Sequence, residues 1–134
     1  MGVSLCVFDG DIADDETDTL GSCDVGHLGD FEFFRDTIAR LLGTEAYPML
    51  LQRLEWSVEE IPQLMLELRT IGAAFRNLPP SHPVGAFELT AKYRVDARSL
   101  YDCFHDLRGD NLFESLLRLC EIAERHRRPI TFFM

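Results

Sequence analysis

The chain has 134 residues, of which 46% are hydrophobic and 27% are charged, and its formal net charge at pH 7 is −10. A chain of this size buries enough surface to fold as one domain over residues 1–134, so it needs neither disulfides nor a structural metal. The negative charge excludes nucleic acid and anionic membranes from the expected partners, because both would repel it.

The sequence shows no targeting or transmembrane segment. Its first residues lack the charged region and long apolar run of a signal peptide, and no apolar run is long enough to span a membrane. The four cysteines have no paired spacing, which is typical of free thiols in a reducing compartment. They are Cys6, Cys23, Cys103 and Cys120. We therefore expect a cytoplasmic protein.

The negative charge is concentrated near the N-terminus. Residues 9–36 hold ten acids and one base, whereas residues 37–134 hold 13 acids and 12 bases. Residues 9–20 are too acidic and too poor in apolar side chains to pack, so we expect an exposed loop there. Such a loop can simply confer solubility, or it can dock a basic partner protein. The candidate partner-binding residues are Asp11, Asp14, Asp15, Glu16, Asp18 and Asp24.

The first third of the chain is predicted to form a loose hairpin followed by a helix. Residues 3–8 are apolar and rich in β-branched side chains, and residues 21–26 offer a second short strand. Asp30 is a suitable N-cap for a helix over residues 31–42, and Gly43 is a suitable stop. The apolar residues of this helix fall on one face at helical spacing. They are Phe31, Phe34, Ile38, Leu41 and Leu42.

The middle of the chain is predicted to contain a long amphipathic helix. Residues 47–54 stay open, because an apolar run that favours a strand is interrupted by polar residues and a proline. Ser57 and Glu60 have the spacing of a capping box. Pro62 can instead place the first turn of the helix at Ile61 and Pro62. A continuous apolar stripe then extends the helix to about Asn77.

The C-terminal part predicts the overall fold class. Residues 84–95 stay open between strand and helix: their strict alternation favours a strand, and their helix-forming composition favours a short helix. Residues 99–105 indicate a strand, residues 111–127 a helix, and residues 130–133 a terminal strand. Strand, helix and strand imply a crossover between parallel strands. We therefore expect an α+β fold, with a small mixed β-sheet, three or four helices packed on it and a C-terminal β-α-β unit.

No sequence pattern indicates catalysis, a metal or a cofactor, so we expect no catalytic residues and none of these ligands. The chain has no nucleophile elbow, zinc-protease motif or glycine-rich phosphate loop, and residues 9–20 fail an EF-hand loop at three positions. Cys103 and His105 could lie on one face of a strand and bind zinc together with Cys120 or His126, but the ligand spacing of zinc sites is absent. A thiol–imidazole pair is conceivable, although nothing in the sequence brings its members together. Its candidates are Cys6, Cys23, His27 and His82.

Eight stretches resemble a known family in their order and spacing. They are Met1-Gly2-Val3 through Phe8-Asp9, Phe31-x-x-Phe34-Arg35-Asp36, Trp56-Ser57-x-x-Glu60, Leu66-Glu67-Leu68 with Leu78-Pro79-Pro80, Leu100-Tyr101-Asp102-Cys103-Phe104, Gly109-x-x-Leu112 and Pro129-Ile130-x-Phe132. Over nearly its full length the chain resembles the small bacterial immunity proteins numbered seventy in the polymorphic-toxin immunity series. Most of the matching residues are core, cap or turn positions, so the resemblance supports the fold more than any site.

The resemblance implies a cytoplasmic protein that binds a cognate toxin and neutralises it by occlusion, without turnover. It carries no binding motif, so the assignment of contacts to the acidic residues is an inference from charge. The expected partner is a toxin domain with a basic surface. Two rival interpretations are an acidic protein-interaction adaptor without a toxin partner and a small metal-dependent enzyme. The toxin's identity and the oligomeric state stay open.

Overall fold

The structure is a computed structural model that describes residues 2–10, 18–80 and 97–133. Most of the expected acidic loop over residues 9–20 lies outside the described residues, and residues 84–95 lie wholly outside them. The described elements, in chain order, are β1 (Gly2–Phe8), β2 (Thr19–His27), α1 (Leu28–Leu42), α2 (Pro48–Gln52), α3 (Ile61–Arg76), a 3-10 helix (Leu100–Cys103), α4 (Leu112–His126) and β3 (Thr131–Phe133).

The sheet confirms the expected α+β class and corrects its topology. Its strand order is β2-β1-β3, and both neighbouring pairs are antiparallel. The expected mixed sheet with a parallel β-α-β unit is therefore wrong. The error arose at residues 99–105, where the structure has a 3-10 helix instead of a strand. Three of its four residues are buried, namely Leu100, Tyr101 and Cys103, so this apolar run packs as a tight turn without the alternation of a half-buried strand.

Helix α1 begins three residues before the expected start. His27 is its N-cap, and Asp30 lies in its first turn, where the Asp30 carboxylate accepts a hydrogen bond from the His27 N–H at 2.9 Å. The prediction that Asp30 is the N-cap residue is therefore wrong, because Asp30 is the third residue of the helix and takes part in its capping box. Its charge still lies at the positive end of the helix dipole. Gly43 ends the helix as predicted, at a φ of 100°. Leu41, expected in the core, is 45% exposed in the last turn.

Residues 48–52, within the stretch left open by the sequence, form the short helix α2, and a buried side chain from α3 caps it. Glu67 is 2% exposed, and its carboxylate accepts the N–H groups of Met49 at 3.3 Å and Leu50 at 3.1 Å. These N–H groups belong to the first turn of α2, where no carbonyl of the same helix can accept them. Glu67 therefore joins α2 to α3 as a cap supplied from another helix.

Helices α3 and α4 largely confirm the sequence predictions. Helix α3 begins at Ile61 with Pro62 in its first turn, and the Ser57 N–H donates to the Glu60 carboxylate at 3.0 Å in the preceding turn. Asn111 caps α4 by accepting the N–H of Glu114 at 3.2 Å. The helices pack around a cluster of aromatic rings whose centroids lie 5.1–5.5 Å apart in successive pairs. The rings are those of Phe34, Phe75, Phe104 and Phe113.

Candidate partner-binding surface

The expected acidic loop over residues 9–20, called the acidic segment from here on, joins the described fold at the loop end of the β1–β2 hairpin. The Asp9 N–H donates to the Asp18 carbonyl at 2.8 Å. Arg128 lies two residues beyond the end of α4, and its guanidinium donates to the carbonyl of Phe8 at 2.9 Å and to that of Gly10 at 2.8 Å. We call residues 8–10 and 18 the hairpin root. Its backbone is held both across the hairpin and by an arginine more than 100 residues away in sequence.

The structure describes two of the six predicted binding residues, Asp18 and Asp24. Four of the six lie outside the described residues, namely Asp11, Asp14, Asp15 and Glu16. Asp18 is exposed at the hairpin root, whereas Asp24 is half-buried on β2. The two are six residues apart, which corresponds to about 20 Å along a strand. The structure therefore does not bring Asp18 and Asp24 together.

Asp24 lies instead in a small notch of mixed charge. The Ser4 hydroxyl donates to its carboxylate. The notch has a volume of about 40 Å³ and is also lined by Asp106, Arg108 and Arg118. Asp106 is 4% exposed, and its carboxylate accepts the Arg108 N–H at 2.9 Å and the Ser115 hydroxyl at 2.6 Å. Because bases and hydrogen-bond donors surround these acids, the notch is not a continuation of the acidic segment.

The candidate thiol–imidazole chemistry gains no support from the described residues. All four cysteines are buried. Burial, followed by the negative charge of Asp24, raises the pKa of the Cys6 thiol, and burial with two nearby carboxylates raises the pKa of the Cys23 thiol. A thiol acts as a nucleophile through its thiolate form, which a lowered pKa favours. Both pKa values are raised, which disfavours the reactive thiolate form of Cys6 and Cys23. His82 lies outside the described residues.

The imagined zinc site is likewise not assembled. Across residues 2–10, 18–80 and 97–133, no three His, Cys, Asp or Glu side chains stand close enough together to hold a metal ion. Burial raises the pKa of the Cys120 thiol to about 12. Within this part of the chain, Cys103, His105 and Cys120 therefore do not form a metal-binding group.

A pocket between α3 and α4 was not anticipated from the sequence. It has a volume of about 190 Å³, and Arg69 and Arg76 of α3 line it together with apolar side chains. The Arg76 guanidinium lies 4.2 Å from the centre of the Tyr101 ring, and that ring stacks on Phe113 at 4.9 Å. A methyl group at Gly72 would lie 3.1 Å from the Tyr101 ring, so glycine permits its close approach to α3. The sequence signal was two arginines seven residues apart with a glycine between them on one helix.

One family model matches this chain. It is described as Immunity protein 70, and it matches residues 5–132. The chain belongs to the Immunity protein 70 family. The match runs from β1 to β3, so in this family member it includes the hairpin root and the α3–α4 pocket. Neither a curated protein nor a solved structure matches the chain.

Membership confirms the resemblance noted from the sequence. The family name marks its members as immunity proteins, a class that acts against toxins and generally does so without catalysis. In this Immunity protein 70 family member, every helix of the described segments is too short or too polar to cross a bilayer.

Proposed function

We propose that this protein binds a cognate toxin domain and neutralises it by covering the surface through which the toxin acts. The observation that carries the proposal is the family match over residues 5–132. The charge distribution supports it, because residues 9–36 hold ten acids and one base. A toxin domain with a basic surface is the complementary partner.

The charge of the acidic segment and its attachment at the hairpin root support a docking role. Acids this close in sequence repel one another within a Debye length of about 8 Å at physiological salt, and a basic partner surface relieves that repulsion. Arg128 holds the carbonyls of Phe8 and Gly10, so the segment starts from a defined place on the fold. Long-range charge acts mainly on the association rate, whereas close contacts set the dissociation rate. We therefore assign the acidic segment a steering role.

The first test is co-expression with a toxin domain. The candidate domain is the toxic C-terminal region of a large secreted protein encoded directly upstream, where an immunity gene is expected to have its cognate toxin. Rescue of growth by the wild-type chain is expected, because the complex would block the toxin. An acidic adaptor without a toxin partner predicts continued growth arrest, and that result would reject the proposal.

The second test is association kinetics at rising salt. The steering variant carries Asp11→Asn, Asp14→Asn, Asp15→Asn, Glu16→Gln and Asp18→Asn. A control variant removes five exposed acids elsewhere, with Glu→Gln changes at Glu45, Glu55, Glu59, Glu121 and Glu124. At low salt the association rate of the steering variant should be lower by about tenfold or more. The association rate of the control variant should fall much less. Equal on-rates for the two variants would remove the steering role.

Asp24 is varied separately because the structure places it apart from Asp18. Asp24→Asn removes one charge from the mixed notch and weakens its hydrogen bond with the Ser4 hydroxyl. If Asp24 contacts the toxin, this variant should change the dissociation rate. An unchanged dissociation rate, with an unchanged melting temperature as the folding control, would restrict the acidic contact to residues 9–18.

A further inference from the structure

We propose that the pocket between α3 and α4 is a second contact site, which receives an aspartate or glutamate side chain of the protein partner. The inference rests on the proposed function for the identity of that partner. It assigns a basic, aromatic contact to a protein whose overall charge is −10. Six residues carry the argument: Arg69, Gly72, Arg76, Tyr101, Phe113 and Leu117.

The charge of the pocket is the first step. Arg69 and Arg76 are exposed side chains of α3, seven residues apart, and both line the pocket. Within the described segments the ion pairs join Arg35 to Glu32 and Arg53 to Glu60, so neither pocket arginine belongs to one. A carboxylate that enters the pocket can therefore bind both guanidinium groups without breaking an existing ion pair.

The orientation of Arg76 is the second step. Its guanidinium lies over the Tyr101 ring at 4.2 Å, and Tyr101 is supported by Phe113. Stacking on an aromatic ring uses the flat face of a guanidinium and leaves its N–H groups at the edge. Those edge groups are the ones that bind a carboxylate through two parallel hydrogen bonds. The contact with Tyr101 thus holds the Arg76 guanidinium at the pocket before a partner arrives.

The size of the pocket selects the ligand. Pockets for small-molecule ligands usually measure roughly 300–1,000 Å³, whereas this pocket measures about 190 Å³. It therefore fits a side chain better than a whole cofactor. The apolar lining, which includes Leu117 and Phe113, keeps the interaction partly away from water and strengthens it. A polyphosphate chain such as nucleic acid is disfavoured, because the rest of the protein would repel it.

The position of the pocket is compatible with one continuous interface. Leu117 lines the pocket, and Arg128 holds the hairpin root just beyond the end of the same helix. From Leu117 the helix continues for nine residues to His126, which is a rise of about 14 Å. An interface of ordinary size covers about 800 Å² on each partner, so a single partner surface is wide enough to reach both places.

The experiment compares two double variants with the same change in charge. Arg69→Gln with Arg76→Gln alters the pocket, and Arg40→Gln with Arg125→Gln removes two exposed arginines elsewhere. The affinity for the toxin domain should fall about tenfold or more for the pocket variant, mainly through faster dissociation, and less than threefold for the control. Arg76→Lys should give an intermediate loss, because it keeps the charge without the planar fork. Equal losses for the two double variants would overturn the inference.

A titration without the toxin separates this inference from the proposed function. The side-chain Nε–H signals of the arginines are followed by NMR as N-acetylglutamate N-methylamide is added, and the glutamine analogue serves as the control. The signals of Arg69 and Arg76 should shift with the carboxylate compound alone, and those of Arg40 and Arg125 should shift less. Uniform shifts at all four would overturn the pocket even if the toxin binds. Selective shifts in a protein that binds no toxin would reject the proposed function and keep the pocket.

Discussion

Replacing Glu67 with alanine should destabilise the fold strongly, although its side chain lines neither the α3–α4 pocket nor the hairpin root. Its carboxylate accepts the N–H groups of Met49 at 3.3 Å and Leu50 at 3.1 Å, and the side-chain amide of Gln63 at 3.3 Å. Alanine would leave the two backbone donors of α2 without that acceptor. Glu67 is 2% exposed, so water does not reach the site freely in the native state.

The expected loss follows from those two donors. Each buried donor left without a partner costs about 1–3 kcal/mol, and Met49 is only half-buried, so water can satisfy part of its demand. We therefore expect Glu67→Ala to lower the free energy of unfolding by about 2–4 kcal/mol. Glu67→Gln keeps one acceptor oxygen but turns an NH₂ group toward a donor, so it should cost about 1 kcal/mol. Total stabilities of about 5–15 kcal/mol make either loss measurable.

Urea unfolding followed by circular dichroism at pH 7 provides the measurement. Glu121→Ala, an exposed glutamate on α4, is the matched control and should change the free energy of unfolding by less than about 0.5 kcal/mol. Hydrogen exchange should show faster exchange of the Met49 and Leu50 amides in Glu67→Ala. A loss below about 1 kcal/mol for Glu67→Ala, with unchanged exchange of those two amides, would refute the assignment of Glu67 as the cap of α2.

Three further predictions concern the root, a turn and a buried thiol. Arg128→Gln should lower the free energy of unfolding by about 1–2 kcal/mol and speed exchange of the Asp9 amide; an unchanged exchange rate would contradict the role given to the root. Gly43→Ala should cost about 1–3 kcal/mol in thermal unfolding. The cost comes from the backbone, because Gly43 has a φ of 100°, which alanine rarely adopts, and no atom would touch the added methyl group. A change in melting temperature within error would contradict this. The pKa of Cys120 is raised from 9.0 to about 12 by burial. The unfolded chain therefore loses this proton first, and stability should fall as the pH rises from 9 towards 12. Urea unfolding across that range should show a shallower fall for Cys120→Ala, and identical slopes would contradict the burial effect.

The elements that could be predicted are those whose signals lie close together in sequence. The strand over residues 3–8, the amphipathic helices α3 and α4 and the stop at Gly43 depend on periodicity or on a single backbone angle, and all are confirmed. The strand predicted for residues 99–105 failed because a short apolar run does not distinguish a strand from a buried turn. The candidate acidic residues were chosen from charge alone, which does not show that Asp24 pairs with Ser4 in a notch.

By itself the sequence determined the α+β class, the family and the N-terminal concentration of negative charge, since composition, periodicity and residue order carry that information. Tertiary structure alone decided the antiparallel pairing of β3 with β1, the capping of α2 by Glu67 and the clamp of Arg128 on the hairpin root. Tertiary structure also determined the position of the pocket, which forms where α3 packs beside Tyr101 and Phe113. Each of these features joins residues far apart along the chain, and their contact depends on how whole helices and strands pack.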